Sequence, residues 1–123
     1  MREIKFRAYA GGVMVYFGIF DVRHTPNGIT RINKPHYSVN DDNQTIMQFT
    51  GLHDKNGKEA YHKDVAVSKD KKKPTHWIVE FNDNEGIFYL KSYEGYEPLP
   101  LRMIKDMEFI GNIYENPELL ESK

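Results

Sequence analysis

Wherever this chain is apolar it alternates, and only for a few residues before a turn signal cuts it short. A period of two is the spacing of a half-buried strand, because successive side chains point to opposite faces. The opening REIKFRAY sets the pattern: Ile4, Phe6 and Ala8 fall on one face, Lys5, Arg7 and Tyr9 on the other. Gly11-Gly12 turns the chain, and VMVYFGIF, β-branched and aromatic, returns as the second arm of a hairpin. IMQFTGL resumes the alternation and leads into DKNGKE, where Asn56-Gly57 is the strongest short turn signal because both residues tolerate positive φ. Val65–Val67 is a short strand. THWIVEF and GIFYLKS, joined by NDNEG, form a second hairpin. Trp77, Val79 and Phe81 share one face of it, and Phe88 and Leu90 can meet them from the other strand. MEFIGNIYE supplies the last strand.

Helix has little room in this pattern. RMIKDM can make one helical turn, and Asn116-Pro117-Glu118 is a helix start, with Asn as N-cap and Pro at the first helical position. Little chain follows, so the helix is a stub. From Asp21 to Thr45 the chain turns polar, with Pro26, Asn27-Gly28, Pro35 and the DDNQT run; one short strand is expected around Ile29–Ile32. A structureless loop of that length is unusual in a compact domain, so this excursion is expected to pack on the core or on a partner. The expectation is a mainly β single domain over 1–123, with no internal repeat. Residues 1–45 hold the N-terminal β-hairpin lobe and the polar excursion, and 46–123 the barrel region. About five short strands between Met47 and Tyr114 suit an SH3-like barrel over residues 46–115, followed by the short C-terminal helical stub.

Composition narrows the function classes. The chain has 123 residues, enough to bury a core without staples. It has no cysteine, which excludes disulfides, thiolate metal sites and a thiol nucleophile. The segment MREIKFRAYAGG lacks the apolar core of a secretory signal, and no apolar run approaches the ~20 residues that span a membrane, so a cytoplasmic location off the membrane is expected. Seventeen basic against eighteen acidic side chains argue against a bulk electrostatic nucleic-acid binder while allowing a local patch. Aromatics make up 13% of the chain, and eight of them are tyrosines, which suits strands more than helices.

Three blocks carry a family resemblance: MREIKFRAY at the start, QFTGLHDKNGKEAYHKDVAV in the middle and FIGNIYENPELL at the end. Together, and in this order, they resemble the YopX-like proteins of phages and prophages. The resemblance implies a mostly β protein with an SH3-like barrel, encoded by a temperate phage or integrated element in a bacterial host, and an oligomer. The family has no established activity, so no catalytic residue is carried over. The chain departs from the family pattern at His62-Lys63-Asp64, where Glu-Gly-Asp is common. Glycine takes a left-handed conformation freely, whereas Lys63 takes it at a cost. The departure also speaks against His62 as an essential family ligand.

Candidate sites divide into three groups. His53, Asp54, His62 and Asp64 have the chemistry to hold a divalent metal, but their spacing matches no standard motif. Asp54 is better explained as a turn former, and Asp64 as a side chain bonding the backbone where a strand begins, so no metal and no cofactor is expected. Lys69, Lys71, Lys72 and Lys73, with His76 and Trp77 just after, can grip a phosphate backbone and stack a base; Arg2, Lys5 and Arg7 can extend that face. The competing reading is a hydrated loop with Trp77 in the core. Tyr9, Tyr16, Tyr89, Tyr93, Tyr96 and Tyr114 suit either strand packing or an interface, and in YEGYEP Tyr93 and Tyr96 are the candidate interface residues. No phosphate loop, nucleophile elbow or His-Glu-x-x-His helix is present, and the carboxylate pairs sit in turns, so no catalytic residue is assigned. The leading expectation is a non-enzymatic phage accessory protein acting through protein contacts and self-assembly along strand edges. The alternative is a nucleic-acid-binding module using the Lys69–Lys73 loop.

Overall fold

The computed structural model describes residues 4–10, 12–18, 22–24, 30–34, 37–41, 46–68 and 74–120. The chain divides into two compact units, Met1–Phe49 and Thr50–Lys123.

In the first unit, β1 (Lys5–Ala10) and β2 (Val13–Gly18) form the expected antiparallel hairpin, with Gly12 in the turn at φ +81. The other edge of β1 pairs with β6 (Ile46–His53), Phe6 lying opposite Gln48 and Ala8 opposite Ile46. Phe6 and Phe17 are cross-strand partners whose rings stack 5.6 Å apart, and they close over the buried Ala8. The opposite face of β1 is covered as well. Arg7 is 3% exposed, and its Nε donates to the Met47 sulfur at 3.4 Å. Arg7 therefore cannot extend a basic surface. Alternation told which residues share a face, not that both faces are covered. Lys5 sits over the Phe49 ring, 4.8 Å from its centre.

The polar excursion contributes β3 (Val22–His24), β4 (Thr30–Lys34) and β5 (Tyr37–Asp41), an antiparallel three-stranded meander. The strand expected around Ile29–Ile32 is β4; β3 and β5 flank it. Their register places Val22 opposite Ile32 and Ile32 opposite Val39, positions too sparse in the sequence to stand out from the polar residues around them.

In the second unit a tight turn joins β6 to β7 (Glu59–Tyr61). Then come β8 (Asp64–Ser68), β9 (Thr75–Asn82), β10 (Ile87–Ser92), β11 (Leu99–Pro100) and β12 (Glu108–Asn112). They form one antiparallel sheet in the order β11-β10-β9-β8-β12. The mainly β class holds. Of the SH3-like barrel expected over 46–115, the pairing establishes this five-stranded sheet, with β11 and β12 at its ends. The β9–β10 register is the expected one: Phe81 faces Phe88 and Val79 faces Leu90. Every residue of β8 is buried, which is why VAV reads as a continuous apolar run.

Trp77, Val79 and Leu90 from the sheet pack with Leu101 and Ile104, both buried by a 3-10 helix over Leu101–Asp106. That helix is the expected single turn. The C-terminal stub is a second 3-10 turn, Pro117–Leu120. Its cap differs from expectation. The Asn116 side chain accepts from the Asn112 backbone N–H at 3.3 Å, while its backbone carbonyl accepts from Leu119. Asn116 thus ties the stub back to β12.

Candidate functional site

The Met47–Val67 stretch is built around two carboxylates that serve the backbone. Asp54 is 6% exposed. Its Oδ1 accepts from the N–H groups of Asn56 and Lys58, both at 2.9 Å, which fixes the Asn56-Gly57 turn. Its Oδ2 accepts from the N–H of Phe109 at 3.0 Å, and Lys55 N–H donates to the Met107 carbonyl at 3.0 Å. One aspartate therefore closes the turn and clamps it to β12. Burial alone pushes the Asp54 carboxyl up; the three backbone donors and the nearby Lys58 charge outweigh it and hold the group below the ordinary carboxylate range. Asp64 accepts from the Tyr61 N–H at 2.8 Å where β8 begins.

His62 and Lys63 turn instead toward Glu80 on β9. Lys63 takes φ +76, the left-handed conformation that costs a lysine more than the glycine common at this position. Its backbone is held by a bond to the Val79 carbonyl at 2.8 Å, and its Nζ donates to Glu80 Oε1 at 2.7 Å. The His62 ring nitrogen lies 3.4 Å from the same oxygen, and the ring edges onto Phe88. Burial raises the Glu80 carboxyl, but the hydrogen bonds from His62 and Lys63 and the Lys63 charge bring it down to about 2. The four metal-ligand candidates are thus sent to separate tasks, with His53 exposed on β6. No group of three or more His, Asp or Glu side chains suited to a metal occurs among the described residues.

His76, expected beside a nucleic-acid face, bonds Glu94 twice: Nδ1 to Oε2 at 2.8 Å and backbone N–H to Oε1 at 3.0 Å. Burial raises Glu94, and these bonds pull it below its ordinary value. The lysines of that reading, Lys69, Lys71, Lys72 and Lys73, lie outside the described residues. Tyr93 and Tyr96 are both exposed, 42% and 52%. The face that buries Trp77, Val79 and Leu90 continues outward along the hairpin to Phe81, which remains 40% exposed against Phe88, their rings 5.0 Å apart.

Sequence reasoning missed a cavity of about 630 Å³ in the second unit. Val67, Trp77, Leu99, Met103 and Met107 form its apolar wall. Lys55, Tyr96, Glu97 and Asp106 are exposed residues at its rim, with Glu108 beside them. Trp77 is 3% exposed, and its indole N–H has no hydrogen-bond acceptor among the described residues. The alternation of THWIVEF put Trp77 on one face with Val79 and Phe81 and left open whether it packs in the core or stacks a base. The other wall residues come from β8, β11, the 3-10 helix and Met107 just after it, and no local pattern unites them.

A family model described as YopX protein matches residues 5–121. Two solved structures resemble the chain over nearly its whole length. One is protein yopX from Bacillus subtilis, 24% identical with a TM-score of 0.62, covering 95% of this chain and 98% of that one. The other is protein EF1440 from Enterococcus faecalis, 24% identical with a TM-score of 0.59, covering 98% of this chain and 100% of that one. At this identity the likeness concerns the fold alone. No curated protein matches the chain.

Proposed function

The chain belongs to the YopX family, and from that premise we propose that it is a phage or prophage accessory protein that works through protein contacts, self-assembly included, rather than by catalysis. Its place of action is the cytoplasm of the bacterial host. The observation that carries the reading is the edge of the N-terminal hairpin. Among the described residues β2 ends its sheet order, next to β1 alone, and offers six residues of backbone along that edge. Val13 and Tyr16 on this strand are 43% and 49% exposed. An edge strand of this length without a lysine or proline is a template for pairing with another chain, and a second copy is the occupant symmetry favours.

The carboxylates agree with this reading. Asp54 and Asp64 are spent on backbone N–H groups, and Glu80 on a lysine and a histidine. The alternative, a nucleic-acid module, rests on lysines outside the described residues and gains no support from the rest of the chain. The test is light scattering over a wide concentration range, on the wild type and on V13K/Y16K, since edge lysines oppose strand pairing. The expected result is a mass that rises with concentration in the wild type and stays monomeric in the variant, with unchanged circular dichroism. A strict monomer at all concentrations overturns the proposal.

A further inference from the structure

We propose that the cavity beside Trp77 is a binding site for a small amphipathic cation: an ammonium or guanidinium group on an apolar body. The inference goes beyond the contact reading and does not depend on it. At about 630 Å³ the cavity lies within the size range of small-molecule sites. Its chemistry is divided in the way such a ligand requires. The wall is apolar and takes the body, through Val67, Trp77, Leu99 and the flexible side chains of Met103 and Met107. The rim is acidic. Among the described lining residues, Glu97, Asp106 and Glu108 stand against one cation, Lys55, whose Nζ is 3.9 Å from Glu108 Oε1. With three carboxylates against that one ammonium, the described part of the rim carries a net negative charge. Arg102 and Lys105, on the same 3-10 helix as Met103 and Asp106, are exposed and do not line the cavity. Tyr96 also stands at the rim. An anion would meet the carboxylates at the mouth, so charge selects the ligand and apolar area holds it.

Trp77 is the only tryptophan in the chain, so its fluorescence reports the cavity wall directly. The experiment titrates the full chain with two probes sharing one apolar body, hexylammonium and hexanoate, at low salt. Fluorescence and the Trp77 indole N–H resonance are followed together, so a ligand silent in one is seen in the other. The expected result is saturable binding of hexylammonium at least about tenfold tighter than hexanoate. The preference should shrink in E97Q/D106N, two exposed positions where the fold tolerates the change, while thermal melting stays unchanged. Equal affinity for the two probes overturns the proposal, as does the absence of any response at saturating amine. Tighter binding of hexanoate also overturns it.

Discussion

Asp54 shows how much of this fold rests on a single carboxylate. Both oxygens accept backbone N–H groups, two within its own turn and one on β12. Asn cannot replace it: an amide offers an oxygen to one side and turns its NH2 against donors on the other. Asp54→Ala is expected to cost about 3 kcal/mol or more in urea denaturation, because three donors lose a charged acceptor and one of those bonds is buried. Asp54→Asn should recover only part of that. The turn role was legible in the sequence, since Asp before Asn-Gly is turn chemistry. The reach to Phe109 was not, because those residues are 55 positions apart and nothing local links them.

Glu80 makes the pH-dependent prediction. Its carboxyl falls from 4.5 to about 2 on folding, so folding favours the ionised form. The stabilisation is fully present above about pH 4.5 and is lost as the pH falls through the folded value near 2. Its ceiling is about 3 kcal/mol at neutral pH. Glu80→Gln should therefore destabilise the protein at pH 7 and flatten stability between pH 5 and pH 2, measured as thermal midpoints across that range. Alternation placed Glu80 on a strand, yet its partners come from the β7–β8 turn. The replacement of the family's glycine by Lys63 suggested an altered turn, yet Lys63 takes the left-handed conformation at φ +76.

Among the elements, the strands that turn signals bound were legible, and the reason is physical. In β9 and β10 one face must be apolar to join the core, and the pleat forces those residues into every second position. β3 and β5 escaped because their polar composition hides the period. β12 carries a subtler feature. Its register with β8 shifts between Phe109 and Gly111, and a Cβ at Gly111 would run into the side chains of Asn116 and Leu119. Asn116 is the residue that ties the stub to β12. Gly111→Ala should therefore detach the C-terminal turn and lower stability by about 2 kcal/mol, read as a reduced melting temperature and as earlier proteolysis after residue 112.

For the whole molecule, the sequence pointed to a contact protein from what it lacked, and the structure adds where contact can occur. Tyr93 and Tyr96, the candidate interface residues, are both exposed. The cavity was not, because a pocket is a property of packing between distant segments, and its acidic rim is scattered over three of them. The edge of β2 was half legible: a hairpin leaves an outer edge to be covered, but no sequence pattern says by what. The direct test of the account is hydrogen exchange at β2 followed against protein concentration. If a second copy pairs along this edge, amides of Val13–Gly18 that exchange rapidly in dilute solution become protected as concentration rises, together with a rise in mass. If those amides exchange at the same rate at every concentration, the edge is not where this protein assembles, and the self-assembly reading is wrong.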